Sequence, residues 1–258
     1  MNYERRAKVK QLLREKGVVS LQELQRIFPN VTIMTLRRDL EYLESVHVAQ
    51  RVRGGARLLE KAEHGEDVYS LREGENPAAK NKIAQLALGL LEQERSLFLD
   101  SGSTSMQLAR MLPDRSLSII TSGPNIALEL CRRVDISVTL IGGTINMKNL
   151  SVSGMQAMEF IRNLNFETSI LVPSGYSEKN GFSCGNYAEC ELKKEIVRKS
   201  KRVIILMDVT KTEKDMPYTF AHMDDIHVLV TDRRPSEHTL AAAKEHQIQV
   251  VCEEKAND

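Results

Sequence analysis

Five segments of this sequence end a β-branched run in small, hydroxylic or glycine residues, the types that leave backbone amides and hydroxyls open to an anion. They are Asp100-Ser-Gly-Ser-Thr-Ser105, Thr121-Ser-Gly-Pro124, Gly142-Gly-Thr144, Pro173-Ser-Gly175 and Asp208-Val-Thr-Lys211. Any one of them alone reads as a turn, because Gly and Ser serve turns as readily as ligands. All five on one edge of a sheet mean more, since ligands of open α/β sheets sit outside the carboxyl ends of the strands, where helix N-termini favour negative charge. The expected ligand carries a phosphate or carboxylate. Gly102, Ser103, Thr104 and Ser105 would offer amides and hydroxyls, Gly143 a second glycine turn, Lys211 the countercharge, and Asp100 an acceptor for sugar hydroxyls. Lys193 is a further candidate for that pocket.

A second group of residues points to a different anion. Residues 1–59 hold 12 Lys and Arg against 6 Asp and Glu, while the remainder holds 24 against 29, so a basic head precedes a mildly acidic body. Arg37 and Arg38 stand together, and Arg51, Arg53 and Arg57 follow within twenty residues. Clustered guanidinium groups of this kind bind duplex DNA through its phosphates and base edges.

The elements that must carry these residues are legible. Val9, Leu12 and Leu13 give helical spacing between Tyr3 and Lys16, which Gly17 ends. Ser20-Leu-Gln-Glu23 has the form of a capping box opening a short helix to Phe28. After Pro29-Asn30, Thr32 caps a third helix whose buried stripe is Ile33, Leu36, Leu40 and Leu43; its other face presents Met34, Thr35, Arg37, Arg38 and Glu41. The alternation from Val46 to Arg53, the pair Gly54-Gly55 and the continuation to Leu59 predict a β-hairpin wing. This winged helix-turn-helix would lay its third helix in the major groove, so Ser20, Thr32, Met34, Thr35, Arg37, Arg38, Arg51, Arg53 and Arg57 are candidate DNA contacts.

Residues 60–79 are polar and weakly periodic, with Val68, Tyr69 and Leu71 as their apolar content, and read as a linker. From residue 80 to 258, helical stretches alternate with apolar runs at Ser96 to Leu99, Leu117 to Thr121, Ile136 to Ile141, Thr168 to Val172, Val203 to Met207, His227 to Thr231 and Gln249 to Cys252. That alternation predicts an α/β domain with a mostly parallel sheet.

Several classes are set aside by what the sequence lacks. No apolar run approaches the roughly 18 to 20 residues of a membrane span, and the charged start has no signal-peptide core, so the expected location is the cytoplasm. Cys131, Cys184, Cys190 and Cys252 show no ligand spacing and are expected as reduced, mostly buried thiols. The six histidines form no metal motif, so no metal is expected. Met147, Met155 and Met158 are expected to pack in the core rather than line a cofactor box, and no cofactor is implied. The basic run through Lys193, Lys194, Arg198, Lys199, Lys201 and Arg202 reads as a solvated helix face with Glu189, Glu191 and Glu195 as partners.

The residues Thr35-Leu-Arg-Arg-Asp-Leu40, followed by Leu43-Glu44, Arg51 and Gly54-Gly55-Ala56, resemble the helix-turn-helix of the DeoR family of bacterial regulators. Thr32 stands where that family usually has Ser, and His47 where it usually has Gly. Lys80-x-x-Ile83-Ala84, Asp100-x-Gly102-Ser103-Thr104, Thr121-x-Gly123, Leu140-Ile-Gly-Gly143, Gly181 to Ser183, Glu189 to Lys193 and Asp208-Val-Thr-Lys211 resemble its sensor domain, which is similar to ribose-5-phosphate isomerase and the CoA transferases. The resemblance adds Glu189 to the candidate effector residues. It implies a repressor of a carbohydrate operon, controlled by a phosphorylated sugar or related metabolite and acting as a homodimer or homotetramer on double-stranded operator DNA. The alternative it leaves is a sugar-phosphate isomerase or CoA-transferase-like enzyme with a DNA-binding head, using Asp100, Glu189 or Asp208 as a base.

Overall fold

The computed structural model describes residues 2–45, 48–58 and 69–253. Val46, His47, Leu59 and the linker as far as Val68 lie outside them, and with them the first residues of the expected wing. The described residues fall into two compact units, one of residues up to 58 with Ser70–Gly74, the other of Tyr69 and residues from Glu75 onward.

The first unit runs α1 (Asn2–Lys16), β1 (Val18–Ser20), α2 (Leu21–Ile27), α3 (Ile33–Ser45), β2 (Ala49–Val52) and β3 (Gly55–Leu58). Gly17 stops α1 at φ +74°, its amide bonding to the Leu13 carbonyl at 2.8 Å. The Ser20 hydroxyl accepts from the Glu23 amide at 3.1 Å, which forms half of the expected box; the Glu23 carboxylate turns instead to Lys16, which lowers its pKa. Thr32 caps α3 as expected, accepting from the Thr35 amide at 3.2 Å. β2 and β3 form the hairpin, and β1 adds a strand to it that is too short to show in the sequence. At Gly55 a Cβ would stand 2.1 Å from the Val19 carbonyl oxygen, so the third strand can approach only because that residue is glycine.

Leu36, Leu40 and Leu43 of α3 are buried, but Ile33, in the first turn, is half exposed. Asp39 is buried on the same stripe, and its two carboxylate oxygens take Arg5 Nε at 2.5 Å and Arg6 Nε at 2.8 Å from α1. The Arg6 guanidinium also lies 3.9 Å from the centre of the Tyr42 ring.

Helix begins earlier than the polar composition of residues 60–79 suggests, with α4 (Tyr69–Glu73) and then α5 (Pro77–Gly89). There follow β4 (Ser96–Leu99), α6 (Ser103–Met111), β5 (Leu117–Thr121), α7 (Pro124–Leu130), β6 (Ile136–Leu140), β7 (Thr144–Asn146), β8 (Ser151–Ser153), α8 (Met155–Arg162) and β9 (Phe166–Leu171). The chain continues with β10 (Gly175–Ser177), β11 (Gly181–Cys184), α9 (Tyr187–Lys199), β12 (Ser200–Leu206), β13 (Tyr218–Ala221), β14 (Val228–Val230), α10 (Glu237–Glu245) and β15 (Gln249–Val251). The seven expected strands form one sheet in the order β15-β14-β12-β9-β4-β5-β6, every neighbouring pair parallel. Alternate side chains feed opposite cores: Leu97 and Leu99 meet α5, α6 and α7, while Phe98 meets the cluster that includes α8, α9 and α10. The hairpin β7–β8 and the small antiparallel sheet β10-β11-β13 were not anticipated, since strands of three or four residues give too little alternation to read.

Met147 and Met155 are exposed and not in the core; they occupy a hairpin turn and the first residue of α8, whose inward face is Ala157 and Ile161. Cys184 and Cys190 are buried, Cys252 is intermediate and Cys131 exposed, all as free thiols. Among the described residues no helix is long and apolar enough to cross a membrane.

The Asp39 clamp carries a prediction. Asp39→Ala should lower the stability of the first unit by about 1–3 kcal/mol, the cost of leaving part-buried donors without an acceptor, read as a shift of its denaturant midpoint; no shift would show the two arginines to be carried by solvent.

Candidate nucleic-acid interface and anion site

On α3 the side chains of Arg37 and Arg38 are exposed, and neither has a hydrogen-bond or ion-pair partner among the described residues. Met34 is exposed one turn earlier. Arg53 sits at the tip of the wing, also exposed and unpaired among the described residues. All four side chains are open to solvent.

Arg51 and Arg57 are differently engaged. Arg51 donates its amide to Glu44 Oε1 at 2.9 Å and Nε to Glu44 Oε2 at 2.6 Å, and it reaches Glu41 Oε1 at 2.9 Å. The Arg51 bonds hold the Glu44 carboxyl below its usual range. Arg51 therefore fastens the wing to the recognition helix, where the sequence reading had it free for a phosphate. Arg57 donates twice to Gln50 Oε1, its cross-strand neighbour, at 2.9 and 2.7 Å. Ser20 and Thr32 spend their hydroxyls as caps, and the Thr35 hydroxyl lies 2.9 Å from that of Thr32.

The second site lies where the parallel sheet reverses its order. From β4 the chain moves outward through β5 and β6; from β9 it moves the other way through β12, β14 and β15. The crevice between the carboxyl ends of β4 and β9 is thus the topological switch point, the usual ligand position in such sheets. On one side it has Asp100 to Ser105, on the other Val172 to Ser174. α6 starts there with Gly102 at its N-cap, so no side chain occupies its first amides. Ser103, Thr104 and Ser105 are buried, and Ser105 Oγ has no hydrogen-bond partner among the described residues.

Asp100 is engaged within the protein. Its Oδ2 accepts from the Val172 amide at 3.0 Å and pairs with Lys193 Nζ at 2.9 Å, and its Oδ1 faces Ser122 Oγ at 3.4 Å. Lys193 is 2% exposed, not part of a solvated face; it also meets Glu189 Oε1 at 2.8 Å and the Val172 carbonyl at 2.8 Å, over the Phe220 ring at 5.1 Å. Glu189 Oε2 in turn accepts from Asn149 Nδ2 at 2.5 Å. The i,i+4 spacing of Glu189 and Lys193 was legible; that this face of α9 turns inward under β13 was not. Its neighbours Lys194 and Arg198 do sit on the solvated face, paired with Glu191 and Glu195.

Asp208 caps a short 3-10 turn, Val209–Lys211, accepting from the amide of Thr210 at 3.1 Å and from its hydroxyl. Lys211 is half-buried there and has no ion-pair partner among the described residues. With Asp100 and Glu189 both paired to Lys193 and Asp208 engaged by Thr210, the three candidate bases of the enzyme alternative all have partners within the chain. Gly143 serves the backbone: at φ +143° a Cβ would lie 2.6 Å from the Ser153 carbonyl, so the glycine admits the β7–β8 hairpin. Two cavities went unread in the sequence. One of 460 Å³ lies at the opposite edge of the sheet, beside Arg95 and Arg115; one of 250 Å³ lies between Tyr176 and His238, where Glu178 and Glu213 make it unsuited to an anion.

Two measurements check this geometry. Arg37→Ala and Arg38→Ala should each flatten the dependence of log K on log salt for duplex binding by about one unit where a phosphate contact is lost; unchanged slope and affinity in both would remove the pair from the interface. Lys193→Met should leave two buried carboxylates facing each other and cost about 3–5 kcal/mol in the unfolding of the second unit, whereas Lys211→Ala should leave that stability unchanged.

The family described as "DeoR C terminal sensor domain" matches residues 75–233, and "DeoR-like helix-turn-helix domain" matches residues 5–62. The HTH-type transcriptional regulator YulB of Bacillus subtilis (strain 168), itself uncharacterized, is 30% identical over 249 residues, 96% of each chain. A putative aga operon transcriptional repressor of Escherichia coli O157:H7 is 25% identical over 96% of this chain and 93% of its own. Ribose 5-phosphate isomerase A of Methanocaldococcus jannaschii shares a TM-score of 0.40 at 15% identity, over 54% of this chain and 56% of that one, a likeness too slight to bear on activity. With a helix-turn-helix unit and a sensor unit both matched over most of its length, the chain belongs to the DeoR family and is a DNA-binding transcriptional regulator.

Proposed function

We propose that this regulator represses a carbohydrate operon and changes its hold on the operator when a phosphorylated sugar, or a related anionic metabolite, enters the crevice between β4 and β9. The observation that carries the reading is an uncapped helix start, Gly102 to Ser105, on the same sheet edge as the Lys211 ammonium, which has no ion-pair partner among the described residues. The amides of Ser103 to Ser105 and the unpartnered Ser105 hydroxyl receive the phosphate, at the positive end of the α6 dipole. Lys211, in the turn that follows β12, supplies the countercharge; β12 itself runs two strand spacings from β4, about 10 Å. Asp100, Glu189 and Lys193 act behind the ligand: they hold the β4 loop against β9, so that the donors keep their aim.

Support for repression comes from the relative named as a putative aga operon transcriptional repressor. Repression through paired half-sites calls for a homodimer or homotetramer, because one recognition helix reads only one half-site. Operator DNA and phosphorylated metabolites place this work in the cytoplasm. A tenfold change in operator affinity needs about 1.4 kcal/mol of coupling between ligand and DNA, well within what a few charge-assisted hydrogen bonds supply.

Thermal unfolding of the full chain with a panel of sugar phosphates, the matching unphosphorylated sugars and inorganic phosphate tests the proposal. A cognate sugar phosphate at a hundred times its Kd should stabilise by about 2.7 kcal/mol, its unphosphorylated form should not, and Lys211→Ala should lose the response. A flat melting temperature with every phosphorylated compound, or an undiminished response in Lys211→Ala, overturns the assignment.

A further inference from the structure

The first turn of α3 presents two large apolar side chains to solvent, Ile33 at 50% and Met34 at 59% exposure, while Leu36, Leu40 and Leu43 hold the helix to its core. Single exposed apolar residues are ordinary on protein surfaces. Here their position matters. They are adjacent, they stand at the end of the recognition helix that meets base edges in helix-turn-helix complexes, and Arg37 and Arg38 stand one turn further on, exposed and unpaired among the described residues. Neither Ile nor Met can donate or accept a conventional hydrogen bond through its side chain. The polar group beside them, the Thr35 hydroxyl, is turned to Thr32. In the major groove the apolar feature of a base pair is the C5 methyl of thymine.

We infer that Ile33 and Met34 are specificity-determining residues that read thymine methyl groups, placed within one to two base pairs of the contacts made by Arg37 and Arg38. The spacing follows from about 5.4 Å of rise per helical turn against about 3.4 Å per base step. Their exposure in the free chain leaves apolar surface that is covered only on a duplex with thymine at that position. Cytosine there presents an amino donor that neither side chain can satisfy.

The test uses the full chain and a random duplex pool from which bound sequences are enriched. In the enriched half-site each thymine is then replaced by deoxyuridine, which removes the methyl and keeps every hydrogen-bonding edge. One or two positions should weaken binding of the wild-type chain about fourfold, the equivalent of about 0.8 kcal/mol for one buried methyl. The Ile33→Ala, Met34→Ala double variant should lose that penalty while keeping its thermal unfolding and its salt-dependent binding to unrelated duplex, and Arg37→Ala should keep the penalty. An enriched site without thymine, a deoxyuridine series with no effect, an equal penalty in the double variant, or loss of all duplex binding by that variant overturns the inference.

Discussion

The sensor unit turns on one buried ammonium. Lys193 has three hydrogens and gives them to Asp100, to Glu189 and to the Val172 carbonyl, so a single side chain ties α9 to the loop after β4 and to the end of β9. Two carboxylates against one cation leave an excess negative charge among buried groups, which Asn149 and Ser122 soften through their polar hydrogens. Such an arrangement is weak evidence for stability as such, because desolvation offsets much of the attraction. Its consequence is geometric: the two lips of the crevice are held at a fixed separation by charge, while side chains around them pack.

The DNA-binding unit repeats the device in smaller form. Asp39 lies within the arginine-rich run of α3 yet faces inward, where it draws Arg5 and Arg6 of α1 onto the back of the recognition helix. The outward arginines at 37 and 38 are left unpaired, among the described residues, by this division of labour. One carboxylate thus sets which guanidinium groups are structural and which face solvent. Arg51 performs a similar service from the wing, anchored on Glu41 and Glu44.

What could be read beforehand followed the range of the interaction. Period and caps are local, so α1 to α3, the hairpin and the seven parallel strands were legible from residues a few positions apart. Strand order and the switch point were not legible, because parallel strands admit many orders and the reversal between β4 and β9 shows only in the fold. Partners distant in sequence were not legible: Asp100 meets Lys193 across 93 positions, and Asp39 meets Arg5 across 34. The same gap hid the partners of Asp100, expected to face a sugar, and of Arg51, expected to face a phosphate. Ile33 was misread for the opposite reason, since helical period places it on the buried stripe but does not tell where the covering neighbours stop.

Val172 contributes to the charge cluster through its amide and its carbonyl, not through its side chain. Proline follows it at position 173 and biases its backbone toward the extended form, in which the N–H and C=O of one residue point to the same side, across the strand. The tether is written in main-chain atoms, so a scan that replaces side chains one at a time passes over it. Proline at 172, which lacks the amide hydrogen, is the substitution that would make it visible.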